Sequence, residues 1–345
     1  MIAIIDTERE GERTQCEALA RALAMPFEVI APWTTPSATP DIILSFGKAL
    51  KPGLALHRRF ERKPLLIQLG RPRLYPTSRL DLVIIMPQDD YPEADNVLHL
   101  KLPLNGASLQ PNPRLKSATR PAQKGKTTLI LSGKTAHHAL GRRECDEMLR
   151  LAKIVAHHAG EALQVIFSCR TPPDIATYMQ DQCRRDGITI ARRRVRDVLA
   201  ESARVIVTAD SASLLADLIR SGLPTWLYPL PVRRTLNHFL KTTSCALFPR
   251  WRRNLIKKGL IAGGTDFARW HRSLTQSGIV RVLNEATAKD ALWENTRPFA
   301  DDDLEICVDR IRTLLAQRFT RDGQQAETPF HAEEAEFERL REVVY

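Results

Sequence analysis

Six consecutive small or polar residues, Thr208-Ala209-Asp210-Ser211-Ala212-Ser213, carry the strongest chemical signal in this chain. They follow a β-branched run, Val205 to Val207, that reads as a buried strand. They precede Leu214, Leu215, Leu218 and Ile219, which are apolar at helical spacing. Gly222 and Pro224 stop that helix, and Thr225 to Tyr228 reads as the next strand. The unit is strand, tight turn, helix, strand, and the turn is dense in N-cap residues. A helix N-terminus offers free backbone N–H groups and a partial positive charge, so it holds anions, phosphate above all. An ordinary capped helix in an α/β sheet has the same pattern, so the turn alone does not establish a ligand.

The elements that position this turn alternate between strand and helix in two similar halves. In the first, Ile2–Asp6 reads as a strand, Arg13–Leu23 as a helix, Asp41–Ser45 as a strand and Leu54–Arg62 as a helix. Pro64–Gln68, Leu82–Ile85 and Asn96–Leu100 read as further strands. Pro103 to Lys126 is rich in Pro, Asn, Ser and Lys without periodicity, and reads as a linker. The second half restarts with a strand at Thr127–Leu131 that ends in Ser132-Gly133-Lys134. A helix over Arg143–Ala159, a strand at Ala162–Phe167, a helix at Asp174–Arg185, a strand at Gly187–Ala191 and a short helix at Asp197–Glu201 lead up to Val205. Asp302–Phe319 and Ala332–Val344 read as amphipathic helices. Alternation of this kind implies parallel sheets covered by helices, with ligands at the carboxyl ends of the strands. We expect two Rossmann-like domains facing an interdomain cleft, at residues 1–112 and 127–300, a linker at 113–126, and C-terminal helices at 301–345 packing across both.

The 345 residues fit two domains, and 43% hydrophobic with 26% charged residues is a globular composition. No run is apolar and long enough to span a bilayer, and the start, Met1 to Asp6, lacks the features of a signal peptide. The six cysteines are scattered with no C-x-x-C pair, against a zinc site or a disulfide framework. The expected location is the reducing cytoplasm. A net charge of +11 favours anionic partners: nucleic acid, an anionic membrane or phosphorylated ligands. Only 6% of residues are aromatic and no RNA-binding signature is present, so nucleic acid is the weaker of these and is not expected. The stretch Leu247 to Lys258 mixes Leu, Phe, Trp and Ile with Arg250, Arg252, Arg253, Lys257 and Lys258, which fits peripheral contact with an anionic inner membrane. A buried Phe248 and Trp251 beneath a solvated basic face is the competing reading.

An ordered set of segments carries a resemblance: Leu66 to Pro72, Asp81 to Ile84, Pro87-Gln88, Asn96 to His99, Leu102-Pro103-Leu104, Ser168 to Pro172 and Val207 to Ser213. Together they resemble the bacterial branch of the mitochondrial-fission "elongate mitochondria" family, over most of the chain from about Ile2 to Leu283. Its members are similar to GT-B glycosyltransferases. The resemblance implies a nucleotide-sugar site in the second domain, with Thr208, Asp210, Ser211, Ala212 and Ser213 facing the diphosphate. Asp217, one helical turn on, stands where such enzymes often place a Glu on the ribose hydroxyls. Gly133 would admit the donor close to its strand, and Ser168 and Arg170 would line the rim. The first domain would hold the acceptor, near Gly11 and Gln15 after the first strand and near Gln68, Gly70 and Arg71 after another. Asp89 and Asp90, just past a strand, are the carboxylates available as a general base, although turn residues have the same composition. His99 and the pair His137-His138 are weaker candidates. No Asp-x-Asp motif is placed to hold a metal, and no cofactor is implied; helix dipole and basic residues would stabilise the leaving group.

The reading that results is a cytoplasmic glycosyltransferase moving a sugar from a nucleotide-sugar to a saccharide or lipid-linked envelope precursor at the inner membrane face. A non-catalytic GT-B-like adaptor that recruits a partner to a membrane is the alternative. A nucleotide-sugar epimerase is a third, without support from a Tyr-x-x-x-Lys pattern.

Overall fold

A computed structural model describes residues 1–107, 125–133, 139–168, 170–231, 249–294 and 299–322. Lys134, His137, His138, Cys169, Leu247, Phe248, most of the expected linker and the expected helix Ala332–Val344 lie outside the described residues. The chain forms two units. Met1–Leu104, Ser244–Thr265 and Asp302–Tyr345 contribute to the first, Asn105–Thr243 and Asp266–Asp301 to the second.

In the first unit, short apolar runs become strands, the central four of them buried on both faces, as a parallel sheet covered by helices requires. These are β1 (Ile2–Ile5), β2 (Phe27–Ile30), β3 (Ile42–Phe46), β4 (Leu65–Leu69), β5 (Leu82–Ile85) and β7 (Val97–His99), in the order β2-β1-β3-β4-β5-β7. All pair in parallel, with Ile2 opposite Ile42 and Ile42 opposite Leu65. Helices α1 (Glu10–Ala22) and α2 (Leu50–Arg59) connect them. Leu50, Leu54 and Leu56 of α2 join Ala3, Ile5, Ile43, Leu66 and Val83 in one core. The strand β2 was not anticipated: Phe27-Glu28-Val29-Ile30 is an edge strand only partly buried, and its mixed composition hides it.

Residues 249–265 pack on this unit, although the sequence division places them in the second domain. A helix spans Pro249–Lys257 and seats Ile256 in the same core as Leu80, Tyr91 and Val97. Gly259, at φ +71°, lies against the Tyr75–Pro76 backbone, where a Cβ would clash. A short strand, Gly264–Thr265, pairs antiparallel with β6 (Asp89–Asp90). The helix Asp303–Asp322 packs against α1, and its Asp303 carboxylate accepts the amides of Lys101 and Leu102 at 2.7 and 2.8 Å.

The second unit repeats the architecture. Strands β8 (Lys126–Leu131), β9 (Ala162–Phe167), β10 (Thr189–Ile190), β11 (Ser202–Thr208), β12 (Thr225–Tyr228) and β13 (Arg281–Val282) form a parallel sheet in the order β10-β9-β8-β11-β12-β13. Helices α3 (Arg142–Ala159), α4 (Pro173–Arg185), α5 (Val195–Leu199), α6 (Ala212–Ser221), α7 (Phe267–Gln276) and α8 (Glu285–Lys289) accompany it. Trp226 of β12 is fully buried, donates its indole N–H to the Thr287 carbonyl at 3.2 Å and meets Trp293 edge to face. Among the described residues no helix is long and apolar enough to cross a membrane.

His57 of α2 tests the packing of the first unit. Burial is the main cause that holds its pKa below the ordinary 6.5; the charge of Arg318 and of Lys63 lowers it further, against Asp81 and the Pro64 backbone. A histidine with a depressed folded pKa binds fewer protons folded than unfolded, so stability falls as pH drops below about 6.5. Thermal melts between about pH 7 and pH 5 are expected to fall less steeply for His57→Gln than for the wild type; parallel profiles would contradict this placement of His57.

Candidate functional site

The carboxyl ends of β8, β9 and β11 meet at the turn picked out in the sequence. Thr208, at the end of β11, pairs with Tyr228 of β12, and Val207 pairs with Ile130 of β8. The Thr208 hydroxyl donates to Asp210 Oδ1 at 2.6 Å and accepts the Ser132 amide at 3.1 Å. Asp210 Oδ2 accepts the Gly133 amide at 3.1 Å. Both side chains are buried. This network locks the ends of two neighbouring strands to one another and fixes the start of α6.

Ser211 is the N-cap of α6 and accepts the Leu214 amide at 3.4 Å. Its carbonyl takes the Leu215 amide. The amides of Ala212 and Ser213 are then left without an acceptor among the described residues, as helix geometry dictates for the first turn. The expected helix N-terminus is therefore present and capped. Two expected ligand residues have a different job, however. Both oxygens of Asp210 serve the chain, as does the Thr208 hydroxyl. A carboxylate also repels phosphate, so Asp210 shapes the turn from beneath.

The rim comes from the turn after β9. Ser168 Oγ accepts the Arg170 amide at 3.2 Å, and Arg170 Nη2 donates to Ser132 Oγ at 3.1 Å. Thr171 donates its hydroxyl to the Leu131 carbonyl at 2.8 Å. Arg170 remains exposed, with a guanidinium that reaches the β8 end. Gly133 lacks a side chain for a reason other than the expected one: an added Cβ would fall on the Arg170 carbonyl. The chain's own backbone needs that space. Ser132 and Thr171, which complete the rim, were not singled out in the sequence, because isolated hydroxyls after strands carry no distinguishing pattern.

Asp217 is exposed on α6, and its Oδ1 accepts Asn105 Nδ2 at 2.8 Å. The same Nδ2 donates to the Ser213 carbonyl at 2.9 Å. Arg220, one turn further on, donates to the Asn105 carbonyl at 2.6 Å and forms a two-point pair with Asp301 at 2.6 and 3.0 Å. The face Ser213–Asp217–Arg220 thus clamps residues 105 and 301. Asn105 and Arg220 lie 115 positions apart, and no local signal announces their contact.

In the first unit the expected acceptor side chains Gln15, Gln68 and Arg71 all bond within the chain. Gln68 is fully buried: its Oε1 accepts the Ser45 hydroxyl at 2.5 Å and its Nε2 donates to the Leu69 carbonyl at 2.7 Å. Gln15 is buried, donating to the Gly11 carbonyl at 2.9 Å and accepting the Leu104 amide at 3.1 Å. Gly70 takes φ +73° beneath the Phe46 ring. Arg71 uses its whole guanidinium internally, on Asp89 at 3.0 Å, on the Gly263 carbonyl and on Thr265 Oγ1 at 2.9 Å. Asp90 pairs with Arg252 at 3.0 Å. Asp89 and Asp90 therefore do not stand as free bases; they are strand residues whose arginines pin residues 249–265 to the sheet. The turn reading was also superseded, since both pair with Gly264–Thr265. His99 ends β7 on the surface.

Replacing Gly133 isolates the role of the rim. Gly133→Ala forces the Arg170 turn aside, and overpacking of this kind costs about 1–3 kcal/mol. The melting temperature is expected to drop; a variant as stable as the wild type would show that the two turns are not in contact.

A family profile described as Mitochondrial fission ELM1 matches residues 10–242. None of the curated proteins matches the chain in sequence. Among solved structures, the S. aureus MnaA–UDP complex superposes with a TM-score of 0.50 at 12% identity, covering 91% of this chain and 96% of that one. A Neisseria meningitidis UDP-GlcNAc 2-epimerase bound to UDP-GlcNAc gives 0.45 at 10% identity, covering 90% and 99%. The spinosyn rhamnosyltransferase SpnG gives 0.42 at 14% identity, covering 94% and 99%. The likeness at 12% identity is one of fold: two Rossmann-like units, each with a six-stranded parallel sheet, of the GT-B kind. The profile covers well over half of the sequence, and the chain belongs to the Mitochondrial fission ELM1 family.

Proposed function

We propose that the second unit binds the diphosphate of a nucleotide-sugar at the N-terminus of α6, and that the chain transfers the sugar to a saccharide or lipid-linked acceptor at the cytoplasmic membrane face. One observation carries the reading. Two backbone amides, of Ala212 and Ser213, have no acceptor among the described residues and lie at the carboxyl edge of a parallel sheet, where such folds bind ligands. The buried Thr208–Asp210 network holds them in place. The fold shared with MnaA, whose structure was solved with UDP, supports it.

In such a transfer an acceptor hydroxyl attacks the anomeric carbon and gives up its proton to water, the carbon–oxygen bond to the diphosphate breaks, and the electron pair leaves with the phosphate. The amides of α6 and the fork of Arg170 would stabilise that charge, with no resident cofactor called upon. Asp89 and Asp90 are not assigned as the base, because arginines already hold their carboxylates.

A different observation favours a second reading, a GT-B-like adaptor that recruits a partner to a membrane. Gln68, Arg71 and Asp89, expected to meet an acceptor, are all engaged within the chain.

Calorimetry with UDP and the other nucleoside diphosphates separates the two. The wild type is expected to bind at least one of them. Ser211→Asp should weaken that binding at least tenfold, about 1.4 kcal/mol, by placing a negative charge beside the phosphates. Aspartate caps a helix about as well as serine, so α6 survives the change. An unchanged affinity would remove this site, and no binding of any nucleotide at millimolar concentration would favour the adaptor.

A further inference from the structure

The strongest unexplained feature lies on the Pro249–Lys257 helix. Trp251 is 65% exposed, a large aromatic side chain left in solvent. Solitary exposed apolar residues are common and need no explanation. This one is set among cations: Arg250, Arg253 and Lys258 are exposed on the same helix and the turn that follows, and among the described residues no ion pair or hydrogen bond reaches their side chains. Residues 250, 251, 254 and 258 fall on one side, since 250, 251 and 258 each lie three or four positions from 254. No acidic residue occurs anywhere between Asp217 and Asp266, so the charge of this stretch is not neutralised by its own sequence.

The opposite face of the helix is fixed. Ile256 is 1% exposed in the core of the first unit, Arg252 pairs with Asp90 at 3.0 Å, and the Thr77 hydroxyl donates to the Lys257 carbonyl at 3.3 Å. Trp251 is therefore held outward by a rigid support. Folding does not need it there, since the helix is anchored by other residues.

We infer that this face docks on an anionic phospholipid surface. A tryptophan seats its ring at the headgroup boundary while arginines and lysines meet lipid phosphates, and the two contributions reinforce each other. The charge complementarity favours lipid over a protein groove, because the face offers one aromatic anchor within a field of unpaired cations. RNA would match the charge but would leave a single tryptophan with little to stack on. The helix lies on the surface and binds in the plane of the interface, so no spanning segment is required. The contact would bring a lipid-linked acceptor within reach, yet it stands on this helix alone and does not depend on sugar transfer.

Vesicle flotation tests it with the full chain. Vesicles of about one part phosphatidylglycerol to two parts phosphatidylcholine are compared with pure phosphatidylcholine. The wild type is expected to float with the anionic vesicles only, and less at high salt. Each cation near such a surface contributes about fivefold in affinity, so Arg250→Gln, Arg253→Gln and Lys258→Gln together should lose at least tenfold. Trp251→Ala should also weaken binding, while Trp33→Ala, another exposed tryptophan of the first unit, should not. All these side chains are exposed, and unchanged melting temperatures would verify folding. Equal flotation by wild type and the triple variant, equal binding to neutral vesicles, or retention on RNA without any on vesicles would each overturn the inference.

Discussion

The geometry at the carboxyl edge of the second unit depends on one buried carboxylate. Asp210 takes a hydroxyl proton donor from its own turn and a backbone donor from the neighbouring strand end. Hydrogen bonds to a charged group are worth about 1.5–3 kcal/mol each, and removing an ionised carboxylate from water costs several. The two contributions are comparable, so the network does little for net stability. What it fixes is position: β8 and β11 must end together, and α6 must begin where its first amides face away from any partner in the sheet. Gly133 belongs to the same constraint, because only a residue without a side chain lets the Arg170 turn close over the strand end.

This constraint explains which parts of the site could be read in the sequence. The turn Thr208–Ser213 was legible, because an N-cap serine after a β-branched run is a local pattern. The central strands were legible for the same reason: runs such as Ile42–Phe46 and Leu65–Leu69 are mostly apolar, as a covered sheet requires. The division of labour within the turn was not. Whether a threonine or aspartate meets a ligand or a neighbouring strand depends on what lies opposite, and Ser132 is 76 positions from Thr208. Arg71 is a sharper case. A polar residue after a strand end is a fair candidate for ligand contact, but its partners Gly263 and Thr265 come from a segment nearly two hundred positions later. The helix at Pro249–Lys257 was also hidden, since its apolar content is low and its cations dominate the pattern.

Seen this way, the two units treat similar raw materials differently. Both are doubly covered parallel sheets with polar residues after the strands. In the first unit, Gln15, Gln68, Arg71, Asp89 and Asp90 bind the chain to itself. In the second, the internal network stops one residue short of α6, and among the described residues the amides of Ala212 and Ser213 remain over. A phosphate is the simplest group that matches two convergent amides with a nearby arginine. The family to which the chain belongs does not by itself choose between catalysis and recruitment, and the fold hosts more than one chemistry. The distinction rests on whether those amides hold a ligand.

A crystal structure of the chain soaked with UDP addresses that point directly. Diphosphate density is expected within hydrogen-bond distance of the Ala212 and Ser213 amides, with Arg170 turned from Ser132 toward a phosphate oxygen. Density for UDP elsewhere on the second unit, with the α6 N-terminus occupied only by water, would contradict it.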